Sequence, residues 1–154
     1  MLKSDAVICL GNEILSDDAF GYHVAELLRS SGELPEAEII FAPLAGFGLL
    51  ELFNRRRRVL IVDTIVTGQD PPGTIHLSPL GQFTPSYNLT TSHQMNLPTT
   101  LEFGRQMGMA MPNRIDVLTV EAADIETLSE SMTPAVKAAL EPAAGRIREW
   151  ASGK

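Results

Sequence analysis

Disulfides have no place in this chain, because its single cysteine, Cys9, has no partner to bond. The cross-linked framework on which small secreted domains rely is thereby excluded, and a reducing, cytoplasmic setting is the simplest expectation. Long apolar runs are missing as well. None approaches the ~20 residues that cross a bilayer, so no membrane partner is expected. The start, Met1-Leu2-Lys3-Ser4-Asp5, leads straight into a short strand-like stretch with no small-residue cleavage pattern after it, and no secretory signal is read.

Positive charge is scarce. Twelve Lys and Arg against 19 Asp and Glu leave a net charge of −7, the wrong sign for non-specific nucleic-acid binding, so no nucleic-acid partner is expected. The one basic run, Arg55-Arg56-Arg57-Arg58, is expected to be a solvated helix end where cations meet exposed carbonyls. A docking patch for an acidic partner is the alternative. Absent too are the Gly-x-Ser-x-Gly elbow of serine hydrolases, a P-loop and the Gly-x-Gly-x-x-Gly dinucleotide pattern. With no repeat, linker or low-complexity tail, the 154 residues are expected to form one domain, 1–154.

Hydrophobic residues make up 44% of the chain, enough for a sizeable core. Ala6-Val7-Ile8-Cys9-Leu10 is a continuous apolar run of strand length that stops at Gly11-Asn12. Phe20, Val24, Leu27 and Leu28 then recur at helical spacing, with Gly32 and Pro35 as stop signals. Further strands are read at 37–41, at Val59-Leu60-Ile61-Val62 ending on Asp63, at 74–77 as an edge strand, and at 115–120. Helices are read at 46–53, at 97–106, and from Thr133-Pro134 onward, the last interrupted at Pro142. Residues 78–92 read as a long irregular loop. The order β-α-β-α-β-β-α-β-α predicts a mostly parallel sheet covered by helices on both faces.

In such sheets ligands bind beyond the carboxyl ends of the strands. That rule directs attention to Gly11-Asn12, to the pair Asp17-Asp18 and to Asp63, which ends a run of branched apolar residues and needs a partner. Adjacent acids at a helix start point in different directions, so one of the pair is expected to serve as an N-cap. An Asp17→Asn change is then expected to be mild, because Asn also caps helices. His93 directly follows the long loop. His23 and His76 carry no comparable context. Two carboxylates and an imidazole are donors that nickel, zinc and iron all accept.

The segment 11–21, Gly-Asn-Glu-Ile-Leu-Ser-Asp-Asp-Ala-Phe-Gly, resembles the opening signature of the hydrogenase maturation proteases. Val62-Asp63-Thr64-Ile65-Val66, Pro72-Gly73-Thr74 and Ser92-His93-Gln94 resemble its later elements in order, and 128–142 resembles its closing helix. The resemblance implies a three-layer αβα sandwich of the phosphorylase/hydrolase-like kind. It implies an endopeptidase that removes a short C-terminal peptide from the nickel-loaded large-subunit precursor of a nickel-iron hydrogenase. The family's ligands carry over to Asp18, Asp63 and His93 as metal-binding and catalytic residues, with the general base unassigned. Nickel is expected to arrive on the substrate, with zinc or cadmium able to substitute, and the enzyme is expected to be a monomer.

Two departures stand out. Cys9 replaces the first Gly of Gly-x-Gly-Asn and is expected to crowd a turn that glycine lets tighten. Ala19 stands where Gly is frequent. The alternatives kept open are a metal-sensing chaperone that binds the same subunit without cutting it, and a small-molecule hydrolase on the same architecture.

Overall fold

The computed structural model describes residues 3–43, 46–80 and 97–153. The elements run β1 (Asp5–Leu10), α1 (Phe20–Ser31), β2 (Ala37–Ala42), α2 (Leu50–Phe53), β3 (Arg58–Ile65), β4 (Ile75–Pro79), α3 (Leu97–Gln106), β5 (Arg114–Glu121), α4 (Pro134–Ala138) and α5 (Leu140–Ser152). The strands form one sheet in the order β2-β1-β3-β5-β4. All neighbours are parallel except β4, which runs antiparallel on the β5 edge. None of the described helices is long and apolar enough to cross a membrane.

Continuous apolar strands require cover on both faces, and the alternation of side chains divides that cover in two. Val7, Cys9, Leu60, Val62, Leu118 and Val120 pack with Phe20 and Val24 of α1 and Ile147 and Trp150 of α5. Ala6, Ile8, Val59, Ile61, Ile115 and Val117 pack on the other side with Phe53 of α2 and Leu97 and Leu101 of α3. The predicted αβα sandwich is the observed one, and the helix read at 97–106 is helical over those residues and ends at Gln106.

Four local expectations change. The arginine run is not a solvated helix end, because Arg56 and Arg58 are buried. Arg58 pairs with Asp5 at 2.7 Å and lies 4.3 Å over the Trp150 ring. Arg56 donates to the carbonyls of Lys3 and Leu52 and pairs with Glu38. The run staples the amino-terminal edge of the sheet, and its buried half offers nothing to a partner. Secondly, β3 does not end at Asp63, since Thr64 and Ile65 stay paired with Val120 and Glu121. Thirdly, the closing helix breaks at Ala139 rather than at Pro142. Pro142 cannot donate to the carbonyl four residues before it and its ring crowds that carbonyl, so the break falls upstream and leaves Pro142 in the first turn of α5.

Lastly, Cys9 crowds no turn. It is a strand residue between Phe41 and Val62, and the chain turns two residues later, at Gly11. Glycine is indispensable at Gly21 instead, where a Cβ would collide with the Leu10 carbonyl oxygen as α1 crosses β1. Ala19, fully buried, is accommodated.

Burial pushes the Cys9 thiol up from 9.0 to about 12. The fold therefore favours the neutral thiol. Stability tied to it is whole below pH 9.0 and is lost as pH climbs toward about 12. In native buffer at about pH 8 Cys9 should resist a thiol reagent and label fully only in denaturant. Rapid stoichiometric labelling of the native protein would contradict this placement of β1.

Candidate metal and active site

At the carboxyl edge of the sheet the chain leaves β1 through Gly11, whose φ of 142° suits glycine. The loop then closes on itself: Asn12 N–H donates to the Asp18 carbonyl at 3.1 Å, and Asn12 Oδ1 accepts from Ile14 N–H at 3.1 Å. A short 3-10 turn, Ser16–Ala19, carries both acids into α1.

Asp18 and Asp63 meet at a single residue. Thr64 Oγ1 donates to Asp18 Oδ1 at 2.9 Å, and Thr64 N–H donates to Asp63 Oδ1 at 2.8 Å. Asp63 is buried and Asp18 half-buried. Register and alternation put Asp63 on the α3 side of the sheet with Ile61 and Val117, and Thr64 on the α1 side with Val62 and Val120. The two carboxylates thus reach the end of β3 from its two faces. Among the described residues, no group of three His, Cys, Asp or Glu side chains is arranged to hold a metal ion. Two oxygen donors fixed by one threonine nevertheless suit a divalent cation such as nickel or zinc. The third expected ligand, His93, lies outside the described residues, as do its neighbours Ser92 and Gln94.

Asp17 is not an N-cap. Ala19 holds that position before α1 and Leu15 before the 3-10 turn, neither with a side-chain bond. Asp17 is instead fully buried, and its carboxylate accepts from Ala123 N–H at 2.8 Å, Asp124 N–H at 2.9 Å, and Thr133 N–H at 2.7 Å. Thr133 Oγ1 adds a bond of 2.9 Å. Backbone bonds run alongside, from Asp17 N–H to Asp124, from Ser16 N–H to Ser129, and from Ser129 N–H to Ile14. The loop before Asp18 is therefore strapped to residues 123–133, which follow β5. Asp124 stabilises that strap by accepting from Glu126 and Thr127 N–H. Hydrogen bonding from the Thr127 side chain foremost, then from the Thr127 and Glu126 N–H groups, holds the Asp124 carboxyl below the ordinary value.

Sequence reasoning missed three contributors. Thr64 follows Asp63 directly, yet nothing in its residue type announces that it bonds both acids. Thr133 gives its hydroxyl to Asp17 instead of to its own helix. Glu121, buried at the end of β5, accepts from Thr67 N–H, Thr67 Oγ1 and Gly68 N–H, so it shapes the loop after β3. The logic that singled out Asp63, an acid at the end of an apolar strand, would have found it. His76 is exposed and pairs with Asp70 at 2.9 Å, and His23 stacks edge-on against Tyr22.

A mostly parallel αβα sheet whose carboxyl edge gathers Asp18 and Asp63 at one threonine defines an α/β protein with its candidate site beyond the strand ends. The family model for hydrogenase maturation protease matches residues 22–150, and the chain belongs to that family. It is 29% identical over 143 residues to the hydrogenase 2 maturation protease of Escherichia coli K12, covering 92% of this chain and 86% of that one. The structure of the hydrogenase maturating endopeptidase HybD from E. coli superposes with a TM-score of 0.73 at 26% identity, covering 96% and 90% of the two chains. The [NiFe] hydrogenase maturation protease HybD from Thermococcus kodakarensis, at 20% identity, shares the fold with a TM-score of 0.71 over 99% and 100%. The protein is accordingly a peptidase of hydrogenase maturation.

The strap reverses the expectation for Asp17. In Asp17→Asn an amide NH2 faces donors that the carboxylate now satisfies, and bonds to a charged acceptor carry about 1.5–3 kcal/mol each. Urea unfolding should show a loss of at least about 2 kcal/mol, and an unchanged midpoint would contradict the strap.

Proposed function

We propose that this peptidase trims a short C-terminal peptide from the nickel-loaded large-subunit precursor of a nickel-iron hydrogenase, with Asp18, Asp63 and His93 recognising the nickel that the precursor brings. The observation that carries this reading is the attachment of both carboxylates to Thr64 at the carboxyl edge of the sheet. Three surrounding segments, 11–18, 63–73 and 121–133, contain no Lys or Arg and add Glu13, Asp70, Asp124, Glu126 and Glu130, so the local charge favours a cation. Ile14, Val66 and Leu128, one from each segment, are exposed and offer apolar surface that a polypeptide substrate would cover.

In this mechanism Thr64 fixes one oxygen of each acid, and Asp17 sets the height of the Asp18 loop through the strap. A divalent ion at such a site supplies polarisation of the scissile carbonyl and a more acidic water. A carboxylate of the site takes the proton from the water that attacks the scissile carbonyl, as general base, and returns it to the amine nitrogen as the C–N bond breaks. Zinc or cadmium would occupy the same donors. The lone, buried thiol supports a cytoplasmic setting, and we take the working unit to be a monomer.

Asp63→Asn and His93→Ala should each lower processing of the nickel-loaded precursor at least a hundredfold while leaving the unfolding midpoint of the protease near its native value, roughly the scale on which lost general acid–base groups act. Intact-mass spectrometry of the precursor reads the outcome. Loss of the peptide with the native protein distinguishes the protease from a non-cleaving chaperone, and trimming at the native rate by Asp63→Asn would remove that residue from the mechanism.

A further inference from the structure

Thr119, on β5, is 1% exposed, and its Oγ1 is buried without a hydrogen-bond partner. A buried unsatisfied hydroxyl costs about 1–3 kcal/mol, whereas a methyl of the same shape would cost nothing there. Its place in the sheet says what could satisfy it. Thr119 is the register partner of Asp63 on β3 and of His76 on β4. Side chains paired in this way share a face, and the flanking pair Ile61–Val117 fixes that face as the α3 side. His76 is turned outward, its Nε2 against Asp70. Asp63 remains. Neighbouring strands lie about 4.8 Å apart, so rotation about the Thr119 side-chain bond brings its hydroxyl within reach of the Asp63 carboxylate.

We propose that Thr119 is a positioning residue for Asp63: when Asp63 takes up a cation, the Thr119 hydroxyl donates to its carboxylate and fixes the oxygen that faces the ion. Partners behind a ligating carboxylate orient it, and their loss lowers metal affinity or activity by roughly 10–100-fold. Such a role accounts for a polar group at a buried position that valine would fill. This inference rests on the reading of Asp63 as a cation ligand.

The test uses Thr119→Val, which keeps the shape and removes the hydroxyl, Thr119→Ser, which keeps the hydroxyl, and Asp63→Asn. Thermal unfolding of the metal-free proteins and Cd2+ affinity by calorimetry are measured alongside trimming of the nickel-loaded precursor. Thr119→Val should raise the metal-free midpoint by about 2–4 °C and weaken Cd2+ binding and trimming by about tenfold or more, while Thr119→Ser restores both to near the native level. If Asp63→Asn abolishes Cd2+ binding and Thr119→Val binds and trims as the native protein does, the role of Thr119 is overturned and that of Asp63 stands. If Asp63→Asn itself binds and trims normally, both are overturned.

Discussion

A buried carboxylate with no cation beside it must have its oxygens satisfied by hydrogen bonds, because unpaired polar atoms in the interior are costly. Asp17 meets that requirement with amide and hydroxyl donors from two distant stretches of chain, at Ala123, Asp124 and Thr133. The consequence is geometric. The loop that follows β1 has only the short 3-10 turn Ser16–Ala19 of its own, yet Asp18, within that turn, has to stand beside Thr64. Anchoring the preceding residue to the segment after β5 ties the carboxyl ends of β1 and β5 together across β3, which lies between them in the sheet. The two acids of the pair thus part ways: Asp17 holds the loop, and Asp18 is left beside Thr64 as the proposed ligand.

The opposite edge of the sheet is built with the reverse charge. Arg56 and Arg58 are buried there against Asp5, Glu38, Trp150 and main-chain carbonyls. Breaking such a buried pair leaves an uncompensated charge, so these residues fix the amino-terminal ends of β1 and β3 relative to α5. With the cations engaged at one end and the carboxylates gathered at the other, the sheet presents a single edge suited to a positive ion.

The layer architecture was legible because its causes are local and periodic. Apolar runs as long as those of β1 and β3 must be covered on both faces, and Phe20, Val24 and Leu28 recur at helical spacing. The placement of Asp18 and Asp63 at the carboxyl edge was visible, because both are acids following strands. What could not be read depends on contacts between residues far apart in the chain. The burial of Arg56 and Arg58 is decided by Lys3, Asp5 and Trp150, the role of Asp17 by Thr133, and the orphaned hydroxyl of Thr119 by the register of three strands. Local preference for caps and solvated charge was overridden in each case by a partner that spacing does not reveal.

The central claim is convergence: side chains from the loop after β1, from β3 and from the segment before α3 grip one divalent ion. A crystal grown with zinc or cadmium and measured at the metal's absorption edge tests it most directly. The account predicts one ion bound by Asp18, Asp63 and His93, at about 2.0–2.2 Å for zinc. An ion bound elsewhere, or one that leaves the imidazole of His93 out of reach of both carboxylates, would contradict it.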